Sequence, residues 1–578
     1  MPVRPRPLVL VRGFGFFDVA DEQRNAYQGF NDGTVYPDRR GENYIYEGFI
    51  LRALKSPQYQ YTDATNVVAY YGRDQEVLGL PDSPPPHARR IILDPDVAKL
   101  RLKEGVAGTI WVYRYYDLLP RSIHNYAEGL VRLIDLIKQA TIDHPGSSAV
   151  RWRGVDIVAH SMGGLVVNET LRLLDAKEEG LGRSDINKII TLGTPHRGIR
   201  FQAIPAGLLH ALSATYEKVN DLRRIASGGD HEDAEAENAT KNALDELAAF
   251  DYDNTKYLDV AKLVDSTKLL TVVGTDFRSY GNKVASIANQ LTNLADGGGA
   301  GGNHSDGLVM QSAAQLPGSP RTFIHKCHGG RDSLVTSREA FEITMRFLHG
   351  THRVALRLQE AKITQGGDWG PFRNEFYLGV SVKPRGVDFS LFEQSMEGQN
   401  CYGPFNSDEL DGGDDLREAL EQPLTEWDYR KPYWAGPGRL LWEGWIDASN
   451  LFKDASNGAV FRLDVFVGED DPGGFSDKVI FRKQLFVQIF PGKDPTLFVH
   501  AGEQYLDPKE YPDVASVEAV AQDPSADGLT LPVQKASKCS GAGEGTKNGW
   551  DFVVNGTGFT GTFHVEIEGA GDLDRIDD

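Results

Sequence analysis

Cysteine is scarce in this chain. Only three occur among 578 residues, Cys327, Cys401 and Cys539, and they are odd in number and far apart. This distribution excludes a disulfide framework and shows none of the spacings typical of a cysteine-based metal site. We therefore predict neither a disulfide-stabilised scaffold nor a metal centre built on cysteine.

Long apolar runs are missing as well. No segment is long enough to span a bilayer. Residues 1–7 are rich in proline and lead almost directly into a strand, without the apolar core that precedes a signal-peptide cleavage site. We expect no transmembrane segment and, by default, a cytoplasmic location; secretion by a removed or non-standard signal stays open.

Positive charge is in deficit. Lysine and arginine number 61 against 82 aspartates and glutamates, which gives a formal net charge of −21. Such a surface repels phosphate backbones, so the composition disfavours a nucleic-acid partner and is compatible with neutral substrates. The length of 578 residues exceeds one ordinary domain, and two or three are expected.

The first 350 residues alternate short apolar runs with amphipathic segments. This pattern predicts an α/β domain with a mostly parallel sheet and helices on both faces. One helix presents Tyr126, Leu130 and Ile134 on a single face. The predicted strands cover residues 8–11, 66–71, 109–115, 155–158, 188–192, 268–273 and 322–325.

After Gly350 the apolar residues alternate with a period of two, as in Val354, Leu356 and Leu358. Strands with one apolar face, separated by loops rich in Gly, Pro and Asp, predict an antiparallel β-sandwich over residues 351–505. Residues 506–578 are polar and rich in glycine, and we interpret them as a tail or a small β unit with one late hairpin over residues 550–567.

The most informative segment is Val158-Ala159-His160-Ser161-Met162-Gly163-Gly164, which follows an apolar run and opens a helix-like segment. A strand that turns sharply into a helix exposes the hydroxyl of the residue at the turn, and small neighbours are needed for the chain to turn so tightly. Four further motifs share its domain: a first strand that ends at Arg12-Gly13, then Thr194-Pro195-His196-Arg197-Gly198, Ser305-Asp306-Gly307 and Cys327-His328-Gly329.

These motifs, in this order, resemble those of bacterial lipases and related esterases of the α/β-hydrolase superfamily, over about residues 5–350. The resemblance implies a catalytic domain at 1–350 with a helical lid inserted at about 200–262. It implies Ser161 as nucleophile, Asp306 as acid and His328 as base, which is the chain order expected of this fold. Backbone N–H groups of Phe14 and Met162 would form the oxyanion hole.

Two of these assignments have rivals. His325 lies three residues before His328, but it belongs to an apolar strand, whereas residues at the strand's end project towards the site. Asp276 follows another strand, where some hydrolases carry their acid. The resemblance around Asp306 favours that residue. Cys327 is interpreted as a buried thiol rather than a nucleophile.

Other residues near the motifs have structural interpretations. His160 and His196 are expected to bond neighbouring backbone. Arg12 stands where the family usually has histidine, and it either binds an acidic substrate group or pairs with a surface carboxylate. The resemblance leaves a structural calcium near His328 open, with Asp332 as a ligand, but one carboxylate is weak evidence. The carboxylates at residues 469–471 suit either calcium or a solvated turn, and we favour the turn. No cofactor is predicted.

The sequence thus predicts a serine hydrolase of carboxylic esters that acts through an acyl-enzyme on a small-molecule ester or lipid with an apolar portion. An acyltransferase that passes the same acyl group to an alcohol is one alternative. A binding or scaffold protein with a vestigial hydrolase domain is another. Acyl-chain length, the role of the β domain and the oligomeric state lie beyond the sequence.

Overall fold

A computed structural model describes a large part of the chain. Two compact units emerge: the first comprises residues 1–295, 305–319 and 326–341, the second residues 296–304, 320–325 and 342–578. The described residues are 5–13, 30, 34–35, 44–45, 48–59, 64–70, 90–115, 122–143, 152–176, 181–199, 260, 262–279, 304–316, 318–330, 332–363, 375–406, 440–446, 459–470, 478–490, 496–501, 506, 510–511, 513–522, 533–539 and 548–569.

The first unit is built on a mostly parallel sheet. Its elements are β1 Leu8–Val11, β2 Thr34–Val35, β3 Tyr44–Ile45, α1 Phe49–Lys55, β4 Ala64–Tyr70, β5 Arg90–Ile92, α2 Pro95–Glu104, β6 Ile110–Arg114, α3 Ile123–Ile142, β7 Val155–His160, α4 Met162–Asp175, β8 Ile186–Leu192 and β9 Leu269–Gly274. Short 3₁₀ turns cover Arg183–Asp185 and Ser266–Lys268. Seven strands run in the order β9-β8-β7-β1-β6-β4-β5. Only β5 is antiparallel to its neighbour.

The central strands are apolar because both of their faces are covered. Every residue of β1 and β7 is buried, which is the pattern of a parallel sheet between two helical layers. Helix α3 begins at an N-cap, Ser122, whose Oγ accepts the N–H of Asn125 at 3.2 Å. Its apolar face joins that of α4 in one buried cluster with the sheet, so the core lies directly behind β7.

The second unit is almost entirely antiparallel. Its elements are β10 Arg321–Ile324, β11 His352–Ile363, β12 Glu375–Pro384, β13 Phe392–Glu393, β14 Tyr402–Asn406, β15 Leu440–Ile446, β16 Ala459–Asp470, β17 Lys478–Phe490, β18 Thr496–Ala501, α6 Val514–Gln522, β19 Val533–Lys535, β20 Ser537–Cys539, β21 Gly549–Gly556 and β22 Phe559–Gly569. Helix α5, Arg338–His349, precedes β11 and contributes its first residues to the first unit.

Two sheets of the second unit face each other. One has the order β15-β11-β22-β21-β20; in the other, β13-β12-β16-β17-β18-β19 form a row and β14 also pairs with β12. Aromatic rings meet between them, Trp442 with Phe461 at 6.0 Å and Phe481 with Phe559 at 5.1 Å between centroids. The predicted α/β domain followed by an all-β sandwich is therefore confirmed.

The hairpin expected near residues 550–567 is formed by β21 and β22, and β22 pairs along β11 from His352 to Ile363. Strands from the segment interpreted as a tail thus complete a sheet with a strand from the segment interpreted as the sandwich. The bounds 351–505 and 506–578 stay predictions. Within the described ranges, no helix combines the length and apolar character needed to cross a bilayer.

Candidate active site

Ser161 lies at the junction between β7 and α4, and its backbone is strained. Its φ of 54° and ψ of −130° are rare for a residue with a side chain. The surrounding structure holds it there, because its N–H donates to the Leu192 carbonyl at 2.9 Å and its own carbonyl accepts the N–H of Gly164 at 3.0 Å. The sharp turn that the sequence predicts at this serine is present.

Glycines allow other chain segments to approach this turn. A Cβ on Gly13 would lie 2.3 Å from the Ser161 Cβ, and one on Gly163 would lie 2.4 Å from the Val11 carbonyl oxygen. Both distances are far inside van der Waals contact. The end of β1 therefore passes directly over Ser161 only because neither position carries a side chain.

Ser161, His328 and Asp306 form a continuous hydrogen-bonded row. The His328 Nε2 lies 2.9 Å from the Ser161 Oγ, and its Nδ1 lies 2.8 Å from the Asp306 Oδ2. All three are buried, with 7%, 4% and 1% of their surface exposed. The two ring nitrogens of His328 thus face a hydroxyl on one side and a carboxylate on the other.

Backbone groups fix the orientation of the Asp306 carboxylate. Its Oδ1 accepts the N–H groups of Leu308 and Val309 at 3.0 and 2.8 Å, which leaves Oδ2 for His328. The N–H of His328 also donates to the Asp306 carbonyl at 2.8 Å. Gly193 lies beneath the pair: a Cβ there would be 2.9 Å from Oδ2 and 3.2 Å from the histidine Nδ1.

The predicted oxyanion donors are only partly described. Met162 is the first residue of α4, directly after Ser161. Phe14 lies outside the described residues, although the preceding Gly13 touches Ser161. The predicted lid at about 200–262 also lies outside them, apart from residues 260 and 262.

A family profile with the description "PGAP1-like alpha/beta domain" matches residues 120–270, which include β7, Ser161 and α4. The first unit has the α/β-hydrolase fold, and we call it the α/β-hydrolase domain for that fold. The resemblance to the α/β-hydrolase superfamily that the motifs predict is thereby confirmed. No curated protein sequence matches the chain significantly.

Solved structures with some likeness include the Bacillus licheniformis lipase BlEst2 in its propeptide form. It is 12% identical, with a TM-score of 0.31, and the match covers 86% of this chain and 96% of that one. Phospholipase PlaB from Legionella pneumophila is 11% identical with a TM-score of 0.31, covering 82% and 91%. A Listeria innocua protein is 10% identical with a TM-score of 0.26, covering 60% and 94%.

The rival residues have other partners or belong to the other unit. The Asp276 Oδ1 accepts the N–H groups of Arg278 and Ser279, both at 3.0 Å, and so caps the turn after β9. His325 belongs to the second unit. The Cys327 thiol faces the carbonyls of Gly329 and Asp332, and burial, followed by three nearby carboxylates, raises its pKa to about 12.

Two further histidines are buried in the α/β-hydrolase domain. The His160 ring packs on that of His328 at 5.0 Å between centroids, and its Nε2 lies 2.9 Å from the His328 carbonyl oxygen. Burial, followed by the electrostatic effect of the neighbouring His328, holds the pKa of His160 well below its usual value. A neutral ring therefore packs against His328, a contact that the motif alone does not reveal.

His196 of the Thr-Pro-His-Arg-Gly loop bonds side chains rather than backbone. Its Nδ1 lies 3.0 Å from the Asn168 Nδ2 and its Nε2 3.0 Å from the Thr191 Oγ1. Burial lowers its pKa to about 3. This histidine ties α4 to β8, so the loop motif contributes to the frame around Ser161.

The carboxylates considered for calcium face lysines. Asp332 accepts from the Lys326 Nζ at 2.9 Å, and Glu469 lies 3.3 Å from the Lys478 Nζ. Asp471, the last of that cluster, lies outside the described residues. Near the serine, the Arg12 carbonyl accepts the hydroxyl of Tyr115 at 2.6 Å; the role of its guanidinium stays a prediction.

Proposed function

We propose that this protein is a serine hydrolase of carboxylic esters, with Ser161 as nucleophile, His328 as base and Asp306 as the acid that orients it. The observation that carries the proposal is the row of two short contacts, Oγ to Nε2 at 2.9 Å and Nδ1 to Oδ2 at 2.8 Å. A buried hydroxyl next to an imidazole, itself held by a carboxylate, is the arrangement that activates serine.

In the proposed reaction, the Ser161 Oγ attacks the ester carbonyl while its proton passes to the His328 Nε2. The carbonyl oxygen becomes an oxyanion, which the N–H groups of Met162 and Phe14 would stabilise. His328 then gives the proton to the departing alcohol, leaving an acyl group on Ser161. Water then attacks the acyl carbon and loses a proton to His328. The bond between that carbon and the Ser161 Oγ breaks, His328 returns the proton to Oγ, and the acid departs. Asp306 keeps its charge throughout and stabilises the imidazolium.

The proposed substrates are acyl esters with an apolar portion, because the predicted lid segment begins with apolar residues such as Phe201, Ile204 and Leu208. Purified full-length protein is assayed on p-nitrophenyl esters of short and medium acyl chains. It is also treated with a fluorophosphonate probe, and the labelled peptide is identified by mass spectrometry.

We expect the wild-type protein to hydrolyse the esters and to carry the label on Ser161. Ser161→Ala should show neither hydrolysis nor label. Cys327→Ser is the matched control, because it replaces a second nucleophile next to His328 while keeping a donor for the Gly329 and Asp332 carbonyls; it should turn over and label normally. Transfer of the acyl group to an added alcohol in preference to water would favour the acyltransferase. A folded wild-type protein that shows neither label nor turnover would refute the proposed hydrolase activity.

A further inference from the structure

Three potential ligand atoms converge in the second unit, on one face of the five-stranded sheet. The Cys539 Sγ lies 3.5 Å from the His564 Nδ1, and the Asp551 Oδ1 lies 2.6 Å from the same nitrogen. All three atoms lie within 4.8 Å of one another. They come from three consecutive strands, β20, β21 and β22.

The strand register produces this convergence. Asp551 is directly opposite His564 in the β21–β22 pair, and Ser537 is opposite Asp551 in the β20–β21 pair. Because side chains two residues apart share a face, Cys539 projects on the same side as Ser537. Three neighbouring strands thus present a thiol, a carboxylate and an imidazole side by side.

Gly549 makes room for the imidazole. It is the partner of Cys539 in the register, and a Cβ at this position would lie 2.8 Å from both Cε1 and Nε2 of His564. The His564 side chain is fully buried, whereas that of Asp551 is 26% exposed. The ring is therefore fixed in place, and the carboxylate beside it reaches solvent.

The arrangement does not fit a cysteine nucleophile with a histidine base. In such a pair, the thiol and the orienting carboxylate bind opposite ring nitrogens. Here both approach Nδ1, which carries at most one proton and cannot serve both partners as a proton relay. Three donor atoms that point to one place are instead the geometry of a metal site.

We propose that Cys539, Asp551 and His564 bind a divalent transition-metal ion, with zinc as the best fit and water in the fourth position. Sulfur, imidazole nitrogen and carboxylate oxygen are the ligands of zinc in proteins. A thiolate ligand argues against calcium or magnesium, which prefer oxygen. The proposed site lies outside the proposed hydrolase chemistry and does not depend on it.

The electrostatics of the site favour a cation. The Asp551 carboxylate, 2.6 Å from the His564 Nδ1, would attract a dication, and binding would release the thiol proton to solvent. The single proton of the His564 ring would then occupy Nε2.

The carboxylate of Glu566, outside the proposed ligand set, lies on the Nε2 side of the His564 ring. The Glu566 Oε1 lies 3.9 Å from the His564 Nε2, and the same oxygen accepts from the Arg357 Nε at 2.7 Å. Metal-binding histidines usually direct their second nitrogen towards such a carboxylate, which fixes the tautomer. The proposed site therefore has an outer layer as well as its ligands.

The test uses the reduced full-length protein, stripped with a chelator and titrated with zinc and, separately, with cobalt. We expect one zinc per chain, a higher unfolding temperature, and a thiolate-to-cobalt absorption band. Cys539→Ser should abolish the band and weaken zinc binding by more than the about 10–100-fold that loss of an outer partner costs. Asp551→Asn, at a partly exposed position, tests the carboxylate with less risk to folding.

Cys401→Ser is the matched control, because Cys401 is a buried thiol in the same unit and outside the cluster; it should bind zinc as the wild type does. Equal zinc affinity in wild type and Cys539→Ser, or no binding to the folded wild type, would overturn the proposal. Ester turnover is expected to persist in the stripped protein, so the two proposals can fail separately.

Discussion

Replacing Asp306 by asparagine exchanges one carboxylate oxygen for an NH₂ group. We expect this change to leave His328 unable to act as the base. The Asp306 Oδ1 accepts two backbone N–H groups, from Leu308 at 3.0 Å and Val309 at 2.8 Å. An amide NH₂ cannot accept, so the asparagine oxygen must stay at that position. The NH₂ group therefore takes the place of Oδ2, 2.8 Å from the His328 Nδ1.

That amide donates to Nδ1 and forces the single ring proton of His328 onto Nε2. The nitrogen 2.9 Å from the Ser161 Oγ then carries a proton where the reaction needs a lone pair. The wrong tautomer in a serine triad costs about 10⁴ in rate, equivalent to about 5 kcal/mol.

Rotation of the asparagine amide would restore the correct tautomer of His328. It would also place the NH₂ group against the N–H groups of Leu308 and Val309, which would lose their acceptor. Each lost partner costs about 1–3 kcal/mol, so the rotated form is disfavoured by about 2–6 kcal/mol in total. At the lower limit, about one molecule in 30 would be active. We therefore expect kcat/KM of Asp306→Asn to fall between about 30-fold and 10⁴-fold.

The assay is hydrolysis of a p-nitrophenyl ester, with thermal unfolding as the check on folding. Asp276→Asn is the matched control, because its Oδ1 caps two backbone N–H groups that an amide oxygen serves equally well. Its rate should stay within a few-fold of the wild type. Asp306→Asn within tenfold of the wild type, or a larger loss in Asp276→Asn, would refute the assignment of the acid.

Two further predictions concern the frame of the site. Gly163→Ala should destabilise the protein by about 1–3 kcal/mol, because its Cβ would lie 2.4 Å from the Val11 carbonyl oxygen. Gly182→Ala is the control, since the nearest atom to its Cβ would be 3.9 Å away. Denaturant titration should show a loss of stability in Gly163→Ala that Gly182→Ala does not share. Replacing His196 by glutamine should make the free energy of unfolding decrease less steeply as the pH falls. The folded His196 has its pKa lowered to about 3, so the unfolded chain binds a proton first, and from about pH 6.5 downward this costs about 1.4 kcal/mol for each pH unit. Equal slopes of unfolding temperature against pH in the variant and the wild type would contradict it.

Local patterns predicted the elements that carry the site. The apolar runs located β1, β6, β7 and β8 to within two residues, because strands buried on both faces leave an uninterrupted apolar signature. The predicted strand at 155–158 extends to His160, since the polar histidine is buried against His328. The two-residue strands β2 and β3 were not predicted, because so short a segment has no period.

Pairing between distant segments could not be predicted in the same way. Alternation identified Val354, Leu356 and Leu358 as one face of a strand and placed a hairpin near the C-terminal end. It contained nothing about Leu356 lying opposite Val565. Register over such a separation depends on the whole sheet closing its hydrogen bonds, which no local window contains.

The same limit explains why the serine site was visible in the sequence and the proposed metal site was not. A sharp turn from strand to helix is formed by consecutive residues, so its serine and small residues must be adjacent in the sequence. Cys539, Asp551 and His564 meet through the lengths of the strands and turns that separate them. In the sequence they occupy the polar positions of alternating strands, which predict a solvated face.

Burial separates a solvated face from a functional one. His564 is fully buried, and Arg357 and Glu566 beside it are largely buried. Charged groups are retained away from water only where partners compensate them. Arg357 and Glu566 compensate each other at 2.7 Å. Among the residues that the structure describes, the imidazole and the thiol of the cluster lie next to the Asp551 carboxylate. A dication held by its carboxylate and the Cys539 thiolate would bring the cluster to zero net charge, and this balance is the physical reason to look for a metal at the far end of the chain.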